Sequence, residues 1–302
     1  MLRKVQQLFS RSGFDPSEPP PPDRIKLVAI DIDGTLLRSD QKMTRRVATS
    51  IQKTVERGVR VMMVTARGPT SAVQICKLLP VDSVFICFNG AVICDGTDDN
   101  VIYHKAMEPA FAREVIHLCR EVQPNLRLRV DVKEKWYTDR HDKKGDKITA
   151  DKIGPIDEIV TEPVTRVTFL GPGHIITRAR EAVQNAYEDE VDIPLTDERI
   201  LQIAHRDAQK AIALEWVGNR DGITGEEAVA IGNAPNDMSM FKWARWAVAV
   251  ENAREYPDVV DAAHAMVADN NHDGVAEAIE KFVLEPEKKS KGLGARLFRR
   301  RS

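Results

Sequence analysis

KLVAIDIDGT, residues Lys26 to Thr35, is the stretch on which the reading of this chain turns. Leu27, Val28, Ala29 and Ile30 form an unbroken apolar run, as expected of a parallel strand buried on both faces. Asp31, Ile32, Asp33 and Gly34 follow at its carboxyl end. Side chains alternate along a strand, so Asp31 and Asp33 point to the same side. Two carboxylates so placed repel each other unless a cation joins them, and a metal site and an acid/base pair are both natural readings. In isolation the same motif is also a strand end closed by an Asp-Gly turn. The rest of the sequence must decide.

The chain has 302 residues, 42% hydrophobic and 30% charged, enough for two domains or one large one. Its formal charge of −2 is unevenly placed: residues 288–302 hold seven Lys/Arg and no acid, which leaves −9 on the remainder. An acidic body argues against nucleic acid as the partner of the fold, although the tail can act separately. Cys76, Cys87, Cys94 and Cys119 show no CxxC spacing and read as reduced core residues. No apolar stretch reaches the roughly 18 residues of a membrane span, and the basic start lacks the apolar core of a secretion signal, so the expected location is the cytoplasm.

Outward from the first strand, Pro16 and Pro19 to Pro22 make residues 1–25 a stiff extension. Val47, Ile51 and Val55 recur at helical spacing between Met43 and Arg57, with Gly58 as a stop. A second strand is expected over Val59 to Thr65, a Pro69-led helix after it, and a third strand over Val84 to Phe88 that breaks at Asn89-Gly90. This alternation predicts an α/β fold, a doubly wound parallel sheet of the Rossmann type. From 91 to 194 the rhythm changes. Strand-like runs at Leu126 to Val132 and Thr165 to Leu170 mix with helices near Pro109 to Val122 and Ile175 to Tyr187, which predicts an inserted α+β cap domain. The parallel pattern then resumes at Ala228 to Ile231, Ala247 to Val250 and Ala265 to Val267. The expected division is therefore a core of 26–90 and 195–284, a cap of 91–194, and a basic tail of 285–302.

Open α/β sheets carry their sites at the carboxyl ends of the strands. Those ends supply Asp31 and Asp33, Thr65-Ala66-Arg67-Gly68, Asn89-Gly90, and Gly232-Asn233-Ala234-Pro235-Asn236-Asp237, while Lys210 opens a helix shortly before the last strand. Carboxylates, a hydroxyl, amides and cations on one edge are the groups that phosphate and Mg2+ require: hard oxygens for the ion, and hydroxyl and ammonium donors for phosphoryl oxygens. Taken singly, Thr65 is also an ordinary β-branched strand residue and Lys210 an ordinary solvated helix lysine. Arg67 suits a substrate contact and a salt bridge across the domain interface equally.

The series DIDGTLL at 31–37, VTARG at 64–68, FNGA at 88–91, Lys210, IGNAPND at 231–237, NA at 252–253 and DNNHDGVAEAI at 269–279 resembles the haloacid dehalogenase-like phosphatases, and most of all their Cof-type branch. The resemblance spans roughly residues 26–284. It implies Asp31 as the nucleophile that forms an aspartyl-phosphate, and Asp33 as the acid and then the base. It implies phosphate binding by Thr65, Ala66, Arg67, Lys210 and Asn236, with Mg2+ held by Asp31, Asp33 and the late loop through Asn233 and Asp237. The implied substrate is a small phosphorylated metabolite, a sugar phosphate before others; a sugar phosphomutase and a phosphometabolite-binding regulatory protein of low turnover are the alternatives.

Two positions depart from the family pattern. Asn233 stands where the family has a metal-binding aspartate, so one negative charge is missing, worth several kcal/mol (about 4 at 4 Å in an effective dielectric near 20) before compensation. Asp237, four residues on, is the expected compensator if Pro235 starts a helix. Ala66 replaces a glycine and matters little if its N–H still faces phosphate. Lys133, Lys135, Trp136, Tyr137 and Arg140 are the candidates for the cap face that reads the leaving group. Leu293, Leu297 and Phe298 interleave with basic residues in the tail, a pattern for weak contact with an anionic membrane or with nucleic acid, or for a merely solubilising segment.

Overall fold

The computed structural model describes residues 22–96, 100–140, 150–195 and 197–284. Most of the expected N-terminal extension, residues 141–149 of the expected cap, and the basic tail lie outside the described residues.

Strand Leu27–Ile30 sits between Ala228–Gly232 and Arg60–Met63 in a five-stranded sheet that continues through Trp246–Val250 to Ala265–Val267. Every pairing in it is parallel, and a parallel bridge from Val64 to Ile86 brings Val84–Cys87 alongside. The unbroken apolar runs follow from burial on both faces. Val28, Ile30, Val61, Met63, Val229 and Ile231 face helices Arg45–Glu56 and Gly274–Phe282. Leu27, Ala29, Met62, Val64, Ala228 and Ala230 face helices Lys210–Asp221, Met238–Trp243 and Pro257–Ala262. Helices on both sides make this the doubly wound fold expected from the sequence. All four cysteines are buried free thiols, and no described helix is long and apolar enough to cross a membrane.

A second, six-stranded sheet runs in the order Val191–Asp192, Ile200–His205, Arg166–Leu170, Arg127–Val132, Lys135–Thr138, Lys152–Ile153. It is antiparallel except for its last pair. Helices Pro109–Val122 and Gly173–Tyr187 cover one face, burying Leu128, Val130, Tyr137, Val167, Phe169, Leu201 and Ile203 in a cluster of their own. Neither seam of this part matches residues 91 and 194. Strands Val92–Asp95 and Val101–His104, expected within the cap, pair with Val84–Cys87 instead. Strand Ile200–His205, expected in the core, belongs to the six-stranded sheet. Short half-apolar strands at a seam carry no sequence mark of which sheet they will join. Ile25, expected in the extension, is buried with the core.

One glycine places the site. The chain leaves Val84–Cys87 through Gly90 with φ +108°, and a Cβ there would lie 2.3 Å from the carbonyl oxygen of Gln209. The Phe88–Gly90 corner can therefore rest directly on the backbone at the start of helix Lys210–Asp221. Gly58, also at positive φ (+80°), has open space around it. Gly58→Ala should cost about 1 kcal/mol, the strain of a left-handed alanine. Gly90→Ala should cost roughly 2–4 kcal/mol in urea unfolding because backbone must move as well. Equal costs at the two positions would mean that the Gly90–Gln209 approach is not tight.

Candidate active site

Lys210 is among the most deeply buried charges of the described residues. It is 1% exposed, and its ammonium donates to Asp31 Oδ1 at 2.7 Å, Asp237 Oδ1 at 2.6 Å and the Val64 carbonyl at 3.0 Å. An ammonium has three N–H donors, so all are used. Burial by itself would lower the Lys210 pKa, but Asp237 and Asp31 outweigh it and the net shift is upward, so the lysine stays charged. Burial is also the largest influence on Asp31 and pushes its carboxyl up to about 7, against the pull of Lys210. Asp31 itself is 4% exposed.

Asp237, expected to turn toward a metal ion, is fully buried and engaged on both oxygens. Its Oδ1 holds Lys210, and its Oδ2 accepts from the Asn233 and Ala234 N–H groups at 2.8 and 3.0 Å. Pro235 does begin a short 3-10 turn, but that turn aims the carboxylate back into the loop. Both Asp237 oxygens are thus engaged, one with Lys210 and one within the loop. Asn233 is oriented by its own contacts: Oδ1 accepts from the Thr35 hydroxyl at 2.8 Å, and Nδ2 lies against Gly34.

Asp33 stands half-exposed at the mouth. Arg67 grips it with a two-pronged fork, Nε to Oδ2 at 2.7 Å and Nη2 to Oδ1 at 2.6 Å, and also reaches Gln41 Oε1 at 2.7 Å. Arg67 is thus a salt-bridge partner within the carboxyl edge of the parallel sheet and not across the interface. Thr65 is buried and its Oγ1 accepts the Arg67 N–H at 3.1 Å. Asn236 donates to Asn89 Oδ1 at 3.0 Å. Ala66 presents its carbonyl to Arg166 of the six-stranded sheet at 3.1 Å.

The structure therefore gathers Asp31, Lys210 and Asp237 in one buried cluster, pairs Asp33 with Arg67, and sets Thr65, Asn233 and Asn236 around them. Thr35, Gln41, Asn89 and Arg166 also take part without having been singled out, and so does Asn252, whose Nδ2 holds the Gly34 carbonyl at 2.8 Å. Asn89 and Asn252 lay inside quoted motifs, but an Asn-Gly pair reads first as a turn. Arg166 is one arginine in an unremarkable strand. Of the cap-face candidates, Tyr137 is fully buried on the helix side, and Arg140 turns back to Asp139 and the Pro124 carbonyl. Lys133 and Lys135 line a cleft of about 360 Å³ with His104, Glu134 and Glu162.

A metal ion is tested by the donors on this edge. Among the described residues no three His, Cys, Asp or Glu side chains converge on one point. Asp31, the backbone carbonyl of Asp33 and the amide oxygen of Asn233 offer hard oxygens with a single carboxylate. Beside the same turn, Asn252 Oδ1 is buried without a hydrogen-bond partner. That set fits Mg2+, which takes one or two carboxylates and keeps several waters.

Comparison with known proteins gives the class. The family model described as haloacid dehalogenase-like hydrolase matches residues 28–279, so the chain belongs to that family. It falls in the Cof-type branch and is a hydrolase of the phosphatase class. Among its relatives is a 5-amino-6-(5-phospho-D-ribitylamino)uracil phosphatase, YcsE of Bacillus subtilis, 27% identical over 265 residues that cover 86% of this chain and 96% of that one. The solved phosphatase BT1666 from Bacteroides thetaiotaomicron superposes with a TM-score of 0.75 at 21% identity, covering 91% of this chain and all of the other. The subclass IIB sugar phosphatase BT4131 gives 0.71 at 20% identity, covering 86% and 100%.

Two predictions follow from this geometry. Lys210→Met should abolish turnover and cost roughly 3–5 kcal/mol in denaturant unfolding, because it strands two buried carboxylates; a stable, active variant would show that the cluster is dispensable. Asp192 lines a cleft of about 400 Å³ with Asn89, Gln209, Lys210, Asn236 and Lys242. Burial raises its carboxyl from 3.8 to about 6. A raised carboxyl stabilises the fold below its unfolded value and loses that contribution as pH rises through about 6. Thermal melts should thus show Asp192→Asn gaining over wild type near pH 8 and matching it near pH 4, whereas a constant offset would rule out titration of Asp192.

Proposed function

We propose that this protein is a Mg2+-dependent phosphatase of small phosphorylated metabolites, sugar phosphates foremost, acting through an aspartyl-phosphate on Asp31. The observation that carries the reading is Asp31 itself, a buried carboxylate at a strand end with Lys210 Nζ 2.7 Å from one oxygen and Asp33 two residues on. In this reading the other oxygen, Oδ2, attacks phosphorus as the ester P–O bond breaks, and Asp33 gives its proton to the departing oxygen. Asp33 then takes a proton from water, the water oxygen attacks the phosphoryl group, and Asp31 is released with orthophosphate.

Lys210 has no spare donor, so its part is to fix the nucleophile and to set a positive charge behind the phosphoryl group. Thr65 and Asn236 supply donors to the phosphoryl oxygens. Arg67 must release part of its hold on Asp33 as substrate enters, and its guanidinium suits a phosphoryl oxygen next. The Asp31 carboxylate, the Asp33 carbonyl and Asn233 Oδ1 would hold Mg2+, whose charge would offset that on the phosphoryl oxygens when bound; Asp237 is not in this set. We place the cap between Met107 and His205, the span that shares one apolar cluster and one sheet. The substrate class is supported by the sugar phosphatase BT4131 and by the ribityl phosphate ester named for YcsE.

Hydrolysis of p-nitrophenyl phosphate across a Mg2+ series tests the reading, with Asp31→Asn and Asn233→Asp beside wild type. Turnover should require Mg2+, vanish in Asp31→Asn and saturate at roughly ten-fold lower Mg2+ in Asn233→Asp. A silent wild type revived by Asn233→Asp would favour the binding protein of low turnover instead. Dependence on a phosphorylated sugar activator would favour a mutase.

A further inference from the structure

Among the side chains by which the six-stranded sheet touches the catalytic edge, Arg166 makes contacts that exceed those of a simple salt bridge. Arg166 leaves that sheet on the face opposite its helices and is 12% exposed. Its Nε donates to Asp131 Oδ2 at 3.0 Å, its Nη1 donates to the Ala66 carbonyl at 3.1 Å, and its guanidinium lies over the Phe88 ring, 4.6 Å from the centroid. One planar group thus meets the loop after Arg60–Met63, the loop after Val84–Cys87, and its own sheet.

Each contact falls on a point that sets a phosphate-facing group. The Ala66–Arg67 peptide is planar, so a held carbonyl fixes the N–H on its other side. That N–H, on Arg67, donates to Thr65 Oγ1 at 3.1 Å. With one Thr65 lone pair so occupied, the direction of the hydroxyl proton is narrowed. At the second loop, Phe88 and Asn89 both have left-handed backbones, φ +49° and +56°, a conformation that costs L residues roughly 1–2 kcal/mol each. The corner is laced to the first loop by Phe88 N–H to the Arg67 carbonyl at 2.9 Å and Asn89 N–H to the Thr65 carbonyl at 3.0 Å. Its Asn89 side chain in turn orients Asn236. The guanidinium stacked on Phe88 closes over this strained corner.

The support behind Arg166 is equally specific. Asp131 is 1% exposed, and its other oxygen takes Arg129 Nε at 2.7 Å, so the carboxylate cannot swing away and the guanidinium plane is set. Lysine, a point charge on a flexible stem, cannot make the stack and both directed hydrogen bonds together. A second grip lies one hairpin away: Glu134 accepts from the Thr70 N–H at 3.0 Å and from its hydroxyl. Residues 65–70 are therefore held from the six-stranded sheet at two places.

We propose that Arg166 is a positioning residue that clamps the 65–67 and 88–89 loops together, so that seating of the cap aligns the donors of Thr65 and Asn236 on the phosphoryl group. The catalytic half of this statement rests on the phosphatase reading above; the clamp itself does not.

The test uses the full chain as wild type, Arg166→Lys, Arg166→Met and the double variant Asp131→Asn with Arg166→Met, which removes the buried carboxylate that the single change leaves short of a partner. Backbone hydrogen exchange should accelerate about ten-fold or more in peptides covering 64–70 and 87–91 of both Met-containing variants, with Arg166→Lys intermediate and the Leu27–Ile30 strand unchanged. Turnover of p-nitrophenyl phosphate should fall on the order of 10²-fold in kcat, as small misplacements of catalytic groups do, with KM within about three-fold. Unchanged exchange in the two loops would overturn the clamp, as would acceleration spread over the whole chain. A loss confined to KM would overturn the positioning role. If wild type shows no Asp31-dependent hydrolysis, the phosphatase reading fails, and the exchange measurement still judges the clamp.

Discussion

A charged lysine sealed beneath a sheet edge constrains everything around it. Lys210 cannot lie there without acceptors, since an isolated buried ammonium is prohibitively unfavourable and would lose its proton. Asp31, Asp237 and the Val64 carbonyl satisfy it, and in doing so tie three separate strand ends to one helix start. The Gly90 corner can approach that helix start because it lacks a side chain. Asp31 is thus fixed by the same cluster that secures the fold, so its orientation and the stability of the fold cannot be altered independently.

The cluster also explains what Asn233 does and does not change. The amide keeps the loop's geometry, taking the Thr35 hydroxyl while its backbone N–H turns to Asp237. Asp237 is committed to Lys210 and to that turn through both of its oxygens. The consequence is a loop that presents an amide at Asn233 where a carboxylate would carry a charge, while its backbone contacts to Asp237 are kept. Outside the cluster, the side chains that line the carboxyl edge depend on longer-range support. Thr65 and Asn236 are oriented through backbone and amide contacts that end at the Phe88–Asn89 corner, and Arg166 rests on that corner from the other sheet.

Much of this was legible in the sequence. The two-sided burial of the parallel strands appears as unbroken runs such as LVAI and AVAIG, and helix Arg45–Glu56 appears in the spacing of Val47 and Ile51. Asp31, Asp33, Thr65 and Lys210 stand where motif order placed them. The seams were not legible. Val92–Asp95 and Ile200–His205 are short strands whose sheet is chosen by partners far along the chain. The direction of a carboxylate was not legible either: nothing in GNAPND says whether Asp237 faces the cleft or the loop.

The sequence by itself determined the order of strands and helices, the residue types at the carboxyl edge and the missing charge at Asn233, because periodicity and residue chemistry are local properties. Only the tertiary structure decided which charges meet. That Asp237 belongs to Lys210 and Arg67 to Asp33 depends on how the strand ends converge at one edge of the parallel sheet, and that Arg166 reaches Ala66 across 100 positions depends on how the second sheet is set against that edge. Burial then fixes those pairings, since each charge taken out of water must find a partner among whatever the fold brings near.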